Sequence, residues 1–382
     1  MLPRLHQHPW MDESIQAFRE QVRRYIVGEM MPHLEGWRRQ GYIPREVWKG
    51  FGEMGFLLPE LDEAWGGAGA SLAYQLVVQD EMSLAEMPAT TTTVHSIAAH
   101  YILEYGTDAQ KQRWLPKLAS GEMLAGIAMT EPGCGSDLKA IGTRARRDGD
   151  HYVIDGAKTF ITNGFTCNLL VLVARTGEPG SRGLSLLVLE TENLAGFSVG
   201  KRLEKLGQHA SDTAELSFAG VRVPADQLLG EHEGQAFRQL MSQLPFERLL
   251  IAVPAAAVIE QALELTVEHC KQRKAFGQTL YDFQNTRFKL AEVATMAHVV
   301  RSFVNDCTQR LLDGTLDNEA AYMAKWWCTE QQCRATDECL QLFGGYGYMT
   351  EYPIARMYAD ARVQKIYGGA NEIMKDLIAR AL

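Results

Sequence analysis

Apolar residues recur at helical spacing from Asp12 to about Leu124, as in Ile15, Phe18, Val22 and Ile26 and later Ile97, Ile102 and Tyr105. A stripe of this period buries one face of each helix. The glycine-rich stretch WGGAGAS breaks the pattern once. Near Ala125 the texture changes. Short β-branched or leucine-rich runs (HYVIDG, NLLVLVA, LSLLVLE, TAELSF, VRV) follow one another as far as about Gly230, separated by turn formers such as RRDGD and GEPGSRG. Such runs without long helices between them predict a compact antiparallel sheet or barrel. After Glu231 helical periodicity returns and lasts to the end, broken at KAFGQTL, LLDGTLDN, FGGYGYMTEYP and YGGAN. That predicts a bundle of about four helices. The expected organisation is α+β in three parts: a helical domain over 1–124, an antiparallel β-barrel over 125–230 and a four-helix bundle over 231–382.

Composition narrows the function. The chain has 382 residues, room for more than one core. Its 47 acidic and 38 basic residues give a net charge of −9, the wrong sign for broad binding to nucleic-acid phosphates. The seven cysteines are scattered, with no CxxC pair and no zinc-like spacing, so no metal site is expected and a reducing, cytoplasmic location is. No uninterrupted apolar run reaches the ~18 residues of a membrane span, and MLPRLHQHPWMDESIQAF lacks a signal-peptide core.

Candidate chemistry lies in the breaks. In IAMTEPGCGSDLKAIGTRARRDGDHYVIDGAKTFITNG, glycines flank Cys134, and Thr130, Ser136 and Asp137 allow close approach to a planar polar ligand. By itself the segment is a tight turn opening a strand. In KQRKAFGQTLYDFQ, Arg273 and Lys274 read as solvated charges at a helix end capped by Gly277. Glycines 344, 345 and 347 read as a helix-to-helix turn. No GxGxxG follows a strand, which argues against a Rossmann fold.

TEPGCGSD followed by YVIDGAKTFITNG closely resembles the central signature of the acyl-CoA dehydrogenase family, and the helix–sheet–helix order matches that family's fold over essentially the whole chain. The resemblance implies FAD as cofactor. It assigns Met129, Thr130, Gly135, Ser136, Phe160, Ile161 and Thr162 to the flavin, with Ser136 also near the acyl chain. Phe160 stands where the family often has Trp, which keeps an aromatic face but loses an indole N–H. RKAFG with a following Gln resembles the diphosphate and adenosine contacts, giving Arg273, Phe276 and Gln284. The segment QLFGGYGYMTEYP adds Gln341, Gly344 and Gly345, which in the family meet a neighbouring subunit's dinucleotide and so imply a homo-oligomer, expected to be a tetramer. Ala370, Asn371 and Glu372 follow as looser flavin contacts.

Abstracting the α-proton of a thioester requires a carboxylate of raised pKa in a dry pocket. Most of the family supply it from YEG near the C-terminus, but this chain reads IYGGANEIM, with Gly368 at that position. LPFERLLIA offers Glu247 instead, followed by Arg248. That pairing resembles the long-chain and isovaleryl-type branch, whose base lies on the first helix after the β-domain. The resemblance implies Glu247 as base and Ser136, Arg248, Gly368 and Gly369 as substrate contacts. Pro245 is expected to bend the helix toward the α-carbon, Glu372 is the reserve base, and Glu131 is assigned a structural role. The implied reaction converts an acyl-CoA to a trans-2-enoyl-CoA, with an electron-transfer flavoprotein as acceptor. An acyl-CoA oxidase and a non-catalytic flavin or acyl-CoA binder are the alternatives. Long-chain, medium-chain, branched and terpenoid-like acyl groups all stay open.

Overall fold

The computed structural model describes residues 10–382. The expectation about targeting at the extreme N-terminus concerns residues that partly lie outside the described ones. Six helices come first: α1 (Glu13–Tyr25), α2 (Leu34–Gln40), α3 (Arg45–Glu53), α4 (Leu72–Leu84), α5 (Ala89–Tyr105) and α6 (Asp108–Ala119). Their starts follow local chemistry. Asp12 accepts the Ile15 N–H at 2.9 Å, and Thr107 with Gln110 forms a capping box on α6.

Seven strands follow: β1 (Ala125–Ala128), β2 (Arg144–Asp148), β3 (His151–Thr162), β4 (Leu169–Arg175), β5 (Leu184–Glu190), β6 (Phe197–Arg202) and β7 (Thr213–Pro224). They form one sheet in the order β1-β4-β2-β3-β7-β6, with β5 also on β4. Most pairs are antiparallel, as the short spacings predict. The expectation of a wholly antiparallel sheet needs correcting: β1 runs parallel to β4 from Ala125 opposite Leu169, and β2 meets β4 in parallel at Arg144. Parallel neighbours need a long crossover, and here it includes the turn-rich segment 129–143 and the β2–β3 hairpin. Alternation along β4 sends Leu169, Val171 and Val173 into one core and Leu170, Leu172 and Ala174 into another. A strand covered on both faces reads as a continuous apolar run, as NLLVLVA does.

The last part holds α7 (Ala236–Gln272), a two-stranded hairpin of β8 (Lys274–Ala275) and β9 (Gln278–Thr279), then α8 (Gln284–Leu312), α9 (Asn318–Phe343), α10 (Pro353–Ala361) and α11 (Asn371–Arg380). Three of these helices are long, and the short α11 packs on α9 as the fourth. Helix α7 is apolar and long enough to cross a membrane, but 67% of its most apolar stretch is buried inside the fold. It is the central element of the core that also holds Ile97 and Tyr101 from α5, Val171 from β4 and Val293 from α8. Buried Arg301 on α8 joins Glu260 on α7 and Asp80 on α4, each at 2.8 Å, and so locks the first helices onto the last.

Candidate active site

Helix α7 runs unbroken through both Pro245 and Pro254. Proline has no N–H, so the carbonyls of Met241 and Leu250 receive no helical bond from these positions. Two residues on from Pro245, Glu247 is buried, 8% exposed, in a stretch where Phe246, Leu249 and Leu250 are buried too. The Tyr101 hydroxyl on α5 donates to its Oε1 at 2.5 Å. Burial raises the Glu247 pKa above the ordinary 4.5, and the Tyr101 bond and the Arg248 charge offset only part of that rise. A carboxylate in this setting is a stronger base than one in water.

Arg248 is also buried. Its guanidinium packs on the Tyr322 ring, 4.3 Å from the centroid, while Nε and Nη1 have no partner. Unpaired buried donors of a cation are costly and mark a place for an acceptor from outside the chain. Nη2 of the same guanidinium lies near the turn at Gly368 and Gly369, with φ of +64° and +91°. A Cβ on Gly368 would lie 2.2 Å from Ile251 Cδ1, and one on Gly369 would lie 3.9 Å from Arg248 Nη2. The turn is free of side chains because it lies against α7, and positive φ at both positions favours glycine. Ile251, which meets Gly368, stands four residues on from Glu247, so the turn lies against the face of α7 that also carries this carboxylate. Glu372, the reserve base, is exposed in the first turn of α11.

Beyond Glu247, the next turns of α7 line a cavity. Leu250, Ile251, Pro254 and Val258 form one wall, Met87 to Thr93 of the α4–α5 corner another, and Met357 to Tyr367 a third. Its empty space, open mouth included, is about 560 Å³. Pro254 is part of this wall.

The residues that the resemblance assigns to the flavin ring lie on β3 and on the turn after β1. Register shifts in the β3–β7 ladder between Lys158 and Ile161, and Phe160 there adopts φ +58° and is 67% exposed. A bulge of this kind re-aims a side chain, and an aromatic held at positive φ is strained unless something rewards it. The Thr159 N–H donates to the Thr130 carbonyl at 2.9 Å, so Phe160 stands beside the 129–136 turn. That turn is braced from below. Glu131 accepts from Gly142 and Thr143 N–H groups and from buried Lys158, which also donates to the Met129 carbonyl. This supports a structural role for Glu131. Gly135 and Ser136 are exposed, and space above the Gly135 Cβ position is open. Thr162 is half-buried, while Ile161 lies in the sheet core, so only its backbone can reach a ligand.

At the β8–β9 hairpin, Phe276 and Gly277 both have positive φ, and Phe276 is 97% exposed. Arg273 lies over the Tyr346 ring at 5.5 Å, which brings the hairpin next to the Gly344–Gly345 turn. Gln284, Gln341, Gly344 and Gly345 are all exposed there. Gly344 at φ +59°, ψ −138° is in a region open to glycine alone. An aromatic, a guanidinium and bare backbone on one open surface suit a dinucleotide. Ala370 precedes α11. Asn371 departs from expectation: it is buried, and its side chain bonds to Lys325 and Thr329 on α9. Its side chain ties the turn to α9. Sequence reasoning also missed Tyr101, hidden in the Ile97–Ile102 stripe, and Lys325, a charge within the apolar run of AYMAKWWC. Among the described residues, no group of three or more His, Cys, Asp or Glu is placed to hold a metal.

Profiles of the acyl-CoA dehydrogenase N-terminal, middle and C-terminal domains match residues 12–122, 126–221 and 234–382. The chain belongs to the acyl-CoA dehydrogenase family, a family of FAD enzymes. It is 44% identical over 369 residues to the mitochondrial long-chain specific acyl-CoA dehydrogenase of Mus musculus, across 96% of this chain and 85% of that one. An acyl-CoA dehydrogenase of Geobacillus kaustophilus superposes with a TM-score of 0.95 at 45% identity, covering 98% of this chain and 99% of the other. A glutaryl-CoA dehydrogenase of Mycobacterium smegmatis, solved with FADH2, superposes at 0.90 with 27% identity, covering 97% and 94%.

Proposed function

We propose that this acyl-CoA dehydrogenase takes the α-proton of a long-chain or branched acyl-CoA with Glu247 and yields the trans-2-enoyl-CoA. The observation that carries the reading is the buried Glu247 carboxylate, held by Tyr101 on the side of α7 that meets the bare Gly368–Gly369 turn. FAD, when bound, supplies the acceptor for the β-hydride. Phe160, Thr130, Gly135 and Ser136 would hold its ring, and Arg273, Phe276, Gln284, Gln341, Gly344 and Gly345 its dinucleotide portion. Burial keeps water from the Glu247 carboxylate, and Tyr101 fixes the oxygen that does not take the proton. Charge developing on the thioester oxygen would meet the Gly368 N–H, while Arg248 orders the substrate beside the base. The acyl chain would enter the cavity along Leu250, Pro254 and Val258.

An electron-transfer flavoprotein as acceptor, a homotetramer and a cytoplasmic location belong to the same proposal. The exposed surface around Phe276 and Gly344 supports the oligomer, since a second copy could cover it. The test is anaerobic flavin reduction across straight and branched acyl-CoAs. Bleaching by long or branched chains supports the reading, and no bleaching by any acyl-CoA rejects it. Rapid peroxide formation in air would favour the oxidase alternative.

A further inference from the structure

Lys325 on α9 is fully buried, 0% exposed. Its ammonium donates to the Gly369 carbonyl at 2.6 Å and to Asn371 Oδ1 at 3.0 Å. Both partners are neutral. An ammonium buried against neutral partners gives up its hydration with no counter-charge in contact, so such a lysine is a poor means of stabilising the fold. Burial first, and then the Arg248 charge, lower its pKa to about 7, with Glu372 opposing.

What it touches gives the reason for its presence. Gly368 and Gly369 are consecutive glycines at positive φ, which gives this turn more conformational freedom than any other pair would. The turn needs an anchor outside itself. Lys325 holds its second carbonyl and, through Asn371, the start of the helix that follows. Asn371 Nδ2 in turn donates to Thr329 Oγ1 at 3.1 Å. The turn is thereby tied to α9 on one side while Ile251 and Arg248 of α7 approach it from the other.

We propose that Lys325 is a positioning residue for the reaction: by clamping Gly369 and Asn371 it sets the Gly368 N–H where the thioester carbonyl must lie for Glu247 to reach the α-carbon. The inference rests on the proposed function. A donor displaced by ~1 Å from developing charge forfeits up to about 10²-fold in rate.

The test uses purified, flavin-loaded Lys325→Met and Lys325→Gln enzymes. Two quantities are read: the limiting rate of flavin reduction per bound flavin at saturating acyl-CoA, and the pH at which a bound 3-thiaacyl-CoA loses its α-proton, followed by long-wavelength absorbance. The thia analogue carries sulfur at the β-position, so it reports deprotonation with no hydride transfer. Lys325→Met is expected to reduce about 10- to 100-fold more slowly per flavin and to ionise the analogue only at higher pH. Lys325→Gln, which keeps a donor without the charge, should fall between. A merely structural lysine would lower the melting temperature and flavin content but leave both quantities unchanged, and that result overturns the proposal. Should Lys325→Met retain no flavin, Asn371→Ala keeps the bond to Gly369 and is expected to give a smaller loss in the same direction; no loss there overturns it too. Glu247→Gln run in parallel separates the two claims. Normal reduction by Glu247→Gln removes the base assignment, whereas an inactive Glu247→Gln beside a normal Lys325→Met removes only the role of Lys325.

Discussion

The Tyr101 hydroxyl on α5 donates to Glu247 Oε1 on α7 at 2.5 Å, across the core shared by the first and last helical parts. A hydrogen bond to the ionised carboxylate favours its charged form, so this contact holds down a pKa that burial drives up. Tyr101→Phe removes the donor and leaves the volume nearly unchanged. The pH at which flavin reduction is half-maximal should move alkaline by about 1 unit, the scale of one bond to a charged group. An unshifted pH profile would show that the bond plays no part in tuning the base.

Glu247 also ties stability to pH. Its pKa is raised in the folded protein, so between the unfolded value near 4.5 and the folded value the native state holds the extra proton. Stability is therefore lost as pH rises through that window. Glu247→Gln cannot ionise and escapes the loss, while Tyr101 can still donate to the amide oxygen. Thermal unfolding should show the variant gaining on wild type as pH rises from about 4 toward neutrality. Its flavin should stay oxidised with acyl-CoA.

Phe160 offers a trade between stability and binding. Phe160→Gly should relieve the positive φ at the β3 bulge, worth about 1 kcal/mol, in the flavin-free protein. The same change removes an exposed aromatic face and should weaken FAD binding. Melting of the apoprotein and a flavin titration read the two effects separately; a fall in apoprotein melting temperature would contradict the strain argument.

The cavity beyond Glu247 makes a prediction about substrate length. Val258→Phe fills the α7 wall about three turns past the base. Reduction by the longest acyl-CoAs should fall at least tenfold while short ones are little affected. Equal losses at all lengths would place the acyl chain elsewhere.

Arg301 holds Asp80 and Glu260 at 2.8 Å inside the helical interface. Arg301→Met leaves both carboxylates without that cation and should destabilise the protein by roughly 3–5 kcal/mol, read by denaturant unfolding.

Residue patterns alone carried the helix–sheet–helix order, because period-3.6 and period-2 burial are local properties of the chain. The flavin and dinucleotide assignments, and Glu247 in place of a carboxylate at Gly368, came from the resemblance to the family, since by themselves those segments read as turns and a helix. The parallel β1–β4 pair was hidden, since a run buried on both faces has no alternation to reveal its neighbour. Tyr101 looked like one more apolar-stripe residue, and Asn371 like a ligand contact. Only the packing of α5 on α7, and of α9 on the 368–371 turn, decided that one meets the Glu247 carboxylate and the other ties the turn to α9. Hydrogen bonds between residues 146 or 46 positions apart depend on which helices meet, and that is settled when the core closes.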